Sequence, residues 1–144
     1  MNINEIIEMW DVDCRIDKTE LADASLIIPN LHSKYYRIFI TERMIAKKLE
    51  GDRKELLRIK HEYYMGILPE EELQERGYAP FALKILKADL SMYIEADSEI
   101  RKLDDKLAVQ REKIDFVESI IKSLTNRGYN IRTAMDFIKF QHGS

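Results

Sequence analysis

Basic side chains are frequent in the segment from residue 34 to residue 64. This segment holds nine Lys or Arg and five Asp or Glu, a local charge of +4, although the whole chain has a formal net charge of -3. Lys and Arg pair with phosphates and aromatic rings stack on bases, so basic residues beside tyrosines suit a single-stranded nucleic acid. The segment is therefore a candidate nucleic-acid site.

Helical spacing divides the candidate side chains into two sets. At about 100° per residue, one set faces away from the apolar side of a helix and the other flanks that side. The outward set is Arg43, Lys47, Lys54, Arg58 and His61, and the flanking set is Arg53, Lys60 and Tyr64. The alternative is an ordinary solvated surface, because Glu50 interrupts the basic face and can pair with Lys54. Tyr63, on the apolar side, is typical of a core residue.

Residues suited to catalysis form no recognisable constellation. There is no Gly-rich phosphate loop, and the three histidines lie far apart without metal-ligand spacing. The pair Asp104 and Asp105 and the acidic run 70–72 are typical of solvated helix surfaces. Cys14 is typical of a small buried hydrophobe. The sequence therefore predicts a protein that is not an enzyme and holds no cofactor and no metal.

Capping signals predict two helices near the start of the chain. Asn2 precedes the apolar spacing of the first helix, and Glu5 can complete a capping box with it. Asp17 is the predicted N-cap of the second helix, with Glu20 as its partner. The first 28 residues hold seven acids and two bases, so charge is segregated along the chain.

The second predicted helix runs to about residue 65, where Gly66 ends it. Pro29 should kink this helix or split it near residue 28. A connection follows, in which Pro69 can open a short acidic helix and Gly77 can end it. Residues 81–95 combine strand-like alternation with helix-forming residues, so a small extended element is possible there.

The most regular pattern lies between residues 98 and 127. Its apolar positions keep the 3-4 spacing of a coiled-coil seam, with one polar exception, Gln110. The seam consists of Ile100, Leu103, Leu107, Gln110, Ile114, Val117, Ile121 and Leu124. Gly128 is the predicted stop of this helix. A last helix would then present apolar residues for assembly, and these are Ile131, Ala134, Met135 and Ile138.

These patterns predict a mainly α protein, built as a long helical hairpin with short N- and C-terminal helices. We expect one domain, 1–144, made of a segment 1–65 with the N-terminal helix and the long candidate nucleic-acid-binding helix, a connection 66–97 and a heptad and assembly segment 98–144. The two seams and the amphipathic ends suggest burial against other copies. One cysteine, an acidic start and no apolar run of about 18 residues favour a cytoplasmic protein without a membrane span.

Four segments in order along the chain are similar to the UvsY family, the recombination mediators of T-even-type phages, and particularly to the versions from phages of cyanobacteria. The segments are IDKTEL, LHSKYY, LLRIKHEYYMG and SLTNRGYNIRTAMDFIKF. The family's DNA-binding signature is Leu-Lys-Ala-Arg-Leu before a Tyr-Tyr pair. Arg58 matches its lysine and Lys60 its arginine, while His61 replaces the second leucine. Arg53 and Lys54 match a neighbouring basic pair.

The resemblance implies a function and a set of partners. Family members bind single-stranded DNA without sequence preference. They promote loading of a RecA-like recombinase onto DNA coated by the phage single-strand-binding protein. They form closed rings of six or seven subunits, and the C-terminal segment drives that assembly. Multivalent binding by a ring would offset the slightly acidic net charge of one chain.

The competing interpretation is a coiled-coil scaffold or chaperone-like oligomer that binds no nucleic acid. Its seams and caps would look the same in the sequence. Salt-sensitive binding of single-stranded DNA distinguishes the two, because only the mediator requires it.

Overall fold

The computed structural model of the chain, which describes residues 1–143, is built from helices. They are α1 (Ile3–Asp13), α2 (Leu21–Leu26), α3 (Ile28–Tyr64), α4 (Glu70–Arg76), a 3-10 turn (Lys87–Asp89), α5 (Leu90–Ala96) and α6 (Ser98–Gln141). No strand occurs among these residues, so the predicted mainly α class is confirmed. The possible extended element at 81–95 is instead an irregular stretch followed by the 3-10 turn and α5.

The chain divides into two compact units, and the two long helices contribute to both. The first unit comprises Met1–Met44 and Arg111–Ser144, and the second comprises Ile45–Gln110. Within the second unit α3 and α6 run antiparallel, because the later partner on α3 pairs with the earlier partner on α6. The pairs are Arg53 with Asp104 and, at 3.8 Å, Lys60 with Glu99. The predicted hairpin is therefore confirmed, whereas the single-domain description stays a prediction.

The core of the first unit joins α1, α3 and α6. Its buried cluster is Ile6, Leu31, Tyr35, Val117, Ile120 and Leu124. Burial of each such side chain stabilises the fold by about 1.5–3 kcal/mol. Ile120 is buried although the 3-4 spacing selected Ile121, which is half-buried. A straight helix of 3.6 residues per turn drifts away from a 3.5-residue seam, so neighbouring positions share the core face.

A half-buried carboxylate, that of Asp13, connects the end of α1 to α3. The Tyr35 hydroxyl donates to the Asp13 carboxylate at 2.7 Å, and the Lys34 ammonium lies 2.6 Å from the same carboxylate. Arg127 of α6 donates to the Asp13 carbonyl at 3.0 Å and lies over the Trp10 ring. Burial tends to raise the pKa of Asp13, but the hydrogen bonds from Lys34 and Tyr35 lower it overall.

Three of the predicted helix ends are confirmed by the structure. The Asn2 side chain accepts from the Glu5 amide at 2.9 Å and the Glu5 carboxylate accepts from the Asn2 amide at 3.1 Å, so the capping box is confirmed. Gly66 and Gly77 end α3 and α4 with φ of 76° and 70°. Pro69 occupies the N-cap position of α4, one residue before the predicted one.

The predicted second capping box is wrong. The Asp17 carboxylate accepts from the Thr19 amide at 2.9 Å and from the Thr19 hydroxyl at 2.7 Å, which forms a local turn. The helix begins later, at Leu21, with Glu20 at its N-cap and no side-chain cap. Pro29 splits the predicted long helix, since α2 ends at Leu26 and α3 begins at Ile28.

The predicted stop at Gly128 is also wrong. α6 continues through this residue to Gln141, and Gly128 is not among the glycines with positive φ. Arg127 and Ile131, on either side of it, are buried in the first unit. Their packing and the bond from Arg127 to the Asp13 carbonyl keep the helix intact, against a glycine cost of about 1 kcal/mol.

Candidate nucleic-acid interface

Four of the predicted basic residues are exposed on the stretch of α3 that belongs to the second unit. They are Lys47, Lys54, Arg58 and His61. The arrangement follows from helical spacing, because intervals of 4, 7 and 11 residues return to nearly the same side of a helix. Lys47 and His61 are about 21 Å apart along the axis at 1.5 Å per residue. An exposed basic row of this length can contact successive phosphates of a single strand.

Arg43 is exposed on the first unit. Its guanidinium lies 5.3 Å from the centre of the Phe39 ring, which restricts the side chain without covering its charge. The sequence placed this residue correctly on the outer side of the helix. It is therefore a separate candidate phosphate contact on the first unit.

Arg58 is exposed but already paired within its own helix. Its Nη2 lies 2.7 Å from Glu55 and its Nη1 lies 2.8 Å from Glu62. The hydrogen bond with Glu55 in particular raises the pKa of the guanidinium, which keeps it charged. A phosphate that binds Arg58 has to compete with these two carboxylates.

Lys60 does not lie on the exposed row. Its residue is only 5% exposed, and its ammonium lies 3.0 Å from the Asp97 carboxylate and 4.1 Å from the centre of the Tyr78 ring. Burial alone would lower the pKa of Lys60, but the hydrogen bond to Asp97 raises it. The sequence suggested a direct phosphate contact for Lys60. The structure instead pairs its ammonium with the buried Asp97 carboxylate.

Tyr64 is also turned away from a free stacking position. Its hydroxyl donates to Asp97 at 2.6 Å, and burial together with this bond raises the pKa of the phenol. Its ring packs within a half-buried aromatic cluster. The cluster is Tyr63, Tyr64, Tyr78, Phe81 and Tyr93. Tyr63 is a packed residue, as predicted, and Tyr64 belongs with it.

Arg53, the remaining flanking residue, pairs with the opposite helix. Its Nε donates to the Asp104 carboxylate at 2.5 Å. Both side chains stay partly exposed, so the pair can exchange with other anions more readily than the Lys60 pair can. The structure therefore brings Lys47, Lys54, Arg58 and His61 to one surface and leaves Arg53 at its edge.

An exposed aromatic residue that the sequence reasoning did not select is Tyr36. It is 45% exposed on the first unit, and its ring stacks on His32 with 5.8 Å between centroids. The sequence spacing could have indicated this exposed position. Tyr36 lies seven residues, or two helical turns, before Arg43, and therefore on nearly the same side of the helix. An exposed ring of this kind can stack on a base.

The predicted assembly residues all lie on the continuous α6, but they differ in burial. Ile131 is buried in the first unit, so its predicted role between subunits is revised. Ala134 is half-buried, whereas Met135 and Ile138 are exposed. Further along α6 the sequence reasoning missed two large exposed side chains, Phe137 and Phe140.

The remaining predicted features concern metal binding, membrane insertion and the cysteine. Over residues 1–143 no group of His, Cys, Asp or Glu is placed to hold a metal ion, and each helix is too short or too polar to cross a membrane. Cys14 is exposed rather than buried, because it lies at the end of α1 with its Sγ 3.6 Å from the Asp11 carbonyl.

Comparisons with known proteins agree with the resemblance found in the sequence. Residues 9–144 match the family described as recombination, repair and ssDNA binding protein UvsY. The recombination protein uvsY of Enterobacteria phage T4 is 22% identical over 143 residues, which is 99% of each chain.

Solved structures show the same fold. Two crystal structures of the bacteriophage T4 recombination mediator protein UvsY superpose with TM-scores of 0.84 and 0.85 at 21% identity. The first match covers 97% of this chain and 99% of that chain, and the second covers 99% and 98%. The chain belongs to the UvsY family of recombination, repair and single-stranded DNA binding proteins.

Proposed function

We propose that this protein is a recombination mediator that binds single-stranded DNA through the exposed cations of α3. The observation that carries the proposal is the row Lys47, Lys54, Arg58 and His61 on one exposed helix surface, in a chain of a single-stranded DNA binding family. Phosphate contacts carry no base information, so binding is without sequence preference. The protein acts by binding and is not an enzyme.

The protein mediates recombination by competing with the single-strand-binding protein for the same DNA strand. The protein holds DNA coated by the phage single-strand-binding protein, weakens the grip of that coat and promotes loading of a RecA-like recombinase. The work takes place in the cytoplasm of the phage's bacterial host. The family and the exposed cations support this proposal.

Assembly strengthens this weak basic surface. Met135 and Ile138, with Phe137 and Phe140, are exposed apolar side chains on the last turns of α6. We propose that they are buried between subunits of a closed ring of six or seven copies. Repeated basic surfaces on one DNA strand raise avidity without any new contact type, which compensates for the net charge of -3.

Charge-neutralising substitutions test the DNA site. The triple variant Lys47→Gln, Lys54→Gln, Arg58→Gln should bind a labelled oligonucleotide much more weakly and with a smaller salt dependence. The slope of log K against log salt should fall by about 0.7 for each phosphate that is no longer bound. Fluorescence anisotropy over a salt series measures both quantities.

A matched variant on α6 controls for the change in net charge. Lys102, Lys106 and Lys122 are exposed cations of that helix, and their change to Gln removes the same three charges. This control should keep most of the affinity. Equal reductions in both variants would show that bulk charge, and not the α3 surface, binds DNA. The competing scaffold interpretation predicts that the unaltered protein binds no DNA at all.

A further inference from the structure

Lys60 is surrounded by groups of its own chain although it lies between two exposed candidate contacts, Arg58 and His61. Its ammonium lies 3.0 Å from Asp97, 3.8 Å from Glu99 and 4.1 Å from the centre of the Tyr78 ring. Only 5% of the residue is exposed. An ammonium has three donors, and these neighbours leave little of it open to solvent.

The Asp97 carboxylate joins several elements of the second unit at one point. One oxygen accepts from the Glu99 amide at 2.9 Å and the Ile100 amide at 3.1 Å, at the start of α6. The other oxygen accepts from the Tyr64 hydroxyl at 2.6 Å and pairs with Lys60. This carboxylate therefore connects the last turns of α3 to the first turn of α6.

A phosphate cannot take Lys60 without removing it from Asp97. The exchange would leave Asp97, which is 6% exposed, as a buried charge without its cation. Uncompensated buried charge is strongly unfavourable, whereas Arg58 and His61 can meet a phosphate at the surface. Arg58 and His61 are therefore placed to contact phosphate, whereas Lys60 is not.

We propose that Lys60 is a positioning residue for the DNA site and does not contact phosphate. At 100° per residue, Arg58 lies about 160° around α3 from Lys60, so a Lys60 that is fixed inward holds Arg58 outward. The Lys60–Asp97 pair fixes the rotation of the last turns of α3 and thereby presents Arg58 and His61 to the strand. This inference rests on the proposed DNA binding.

Two variants, Asp97→Asn and Lys60→Met, distinguish the two possible roles of Lys60. The change in DNA affinity of the first and the salt dependence of the second differ between the roles. If it positions the helix, Asp97→Asn weakens DNA binding several-fold, as Lys60→Met does, because binding must then restore the orientation of the last turns of α3. Arg58 and His61 still meet phosphate in the complex, so the slope of log K against log salt stays that of the unaltered protein. If it contacts phosphate, Asp97→Asn frees the ammonium and tightens binding at low salt. Lys60→Met then flattens the slope, as Arg58→Gln does, by about 0.7.

Two further variants keep the test decisive. Lys60→Arg can still pair with Asp97, and it should restore most of the affinity that Lys60→Met loses. The double variant Lys60→Met, Asp97→Asn buries no unpaired charge, and it replaces either single variant that fails to fold. It should show the weakened affinity with the original slope, and circular dichroism verifies that each variant is helical during the measurement.

The outcomes separate this inference from the proposed function. If the unaltered protein shows no salt-sensitive binding of the oligonucleotide, the proposed function fails. If it binds and Lys60→Met reduces the slope, or Asp97→Asn tightens binding, the positioning role is overturned while DNA binding stands.

Discussion

At the scale of single residues, Arg58 is held between two carboxylates of its own helix. Glu55 and Glu62 lie 2.7 and 2.8 Å from its guanidinium, and both compete with phosphate. Glu62→Gln should therefore tighten binding of single-stranded DNA several-fold at low salt, with a smaller gain at high salt because of screening. Anisotropy titrations of the variant at two salt concentrations measure the change.

A carboxylate in a similar helical pair serves as the control for this prediction. Glu118 pairs with Lys122 at 3.8 Å on α6, one turn apart, and Glu118→Gln changes the net charge by the same amount. Its effect on DNA binding should be small. A gain equal to that of Glu62→Gln would mean that net charge, and not the release of Arg58, controls affinity.

The Lys60–Asp97 pair predicts a dependence of stability on pH. Burial opposes a low pKa of Asp97, but hydrogen bonds from Tyr64, Ile100 and Lys60 lower it. The acid therefore stabilises the fold above its unfolded pKa, and this contribution is lost as the pH falls through the folded value. Lys60 has a raised pKa, so its contribution is present below its unfolded pKa and lost as the pH rises through the folded one.

The measurement compares Asp97→Asn with the unaltered protein by denaturant unfolding. At neutral pH the variant should lose about 3–5 kcal/mol, because one partner of a buried pair is removed. The difference should shrink as the pH falls below about 4, because the unfolded chain then takes up a proton that the folded carboxylate, with its lowered pKa, still excludes. A difference that stays constant down to about pH 2 contradicts an ionised Asp97 in the folded protein.

The residue scale is also where the sequence predicted least. Helical spacing placed Arg43, Lys47 and Arg58 on the exposed side because that depends only on position along one helix. The burial of Lys60 depends on Asp97, 37 positions further along the chain, and no local pattern indicates that partner. The same limit applies to Tyr64, whose hydroxyl bonds to the same carboxylate.

At the scale of elements, several local signals were confirmed, whereas the predicted Asp17 cap and the predicted stop at Gly128 were not. The Asn2 capping box and the stops at Gly66 and Gly77 need only residues a few positions away. The continuity of α6 through Gly128 depends on Arg127, which bonds to a carbonyl 114 residues away. A glycine can end a helix, but tertiary contacts on both sides decide whether it does.

Gly128 provides a direct test of this account of α6. A Cβ added there meets nothing within 4 Å and the residue has a helical φ, so Gly128→Ala should stabilise the protein by about 1 kcal/mol. Gly66→Ala is the matched control, since its φ of 76° disfavours any side chain and should make that variant less stable. Thermal unfolding measures both, and destabilisation by Gly128→Ala would contradict a regular helix at this point.

At the scale of the whole molecule, assembly is expected to depend on the exposed end of α6. Truncation of the chain after Gly128 would also remove Ile131 from the first unit, so point substitutions are the cleaner change. Met135→Ser with Ile138→Ser should reduce the oligomer mass in sedimentation and weaken DNA binding through reduced avidity. Each subunit retains its basic residues, so weak binding should remain.

The control for assembly removes exposed apolar side chains from the second unit. Met92→Ser with Val109→Ser changes two residues that are each 59% exposed, and it should leave the oligomer intact. A full-size oligomer in the Met135, Ile138 double variant would place the subunit contacts on another surface.

We expect this protein to bind single-stranded DNA through phosphate contacts on α3. The most direct measurement is a titration of the unaltered protein with oligonucleotides of equal length and different sequence over a range of salt concentrations. We predict affinities that agree within a few-fold between sequences and a linear fall of log K with log salt, of about 0.7 for each phosphate contact. Absence of binding at low salt, or binding that does not change with salt, would contradict the account.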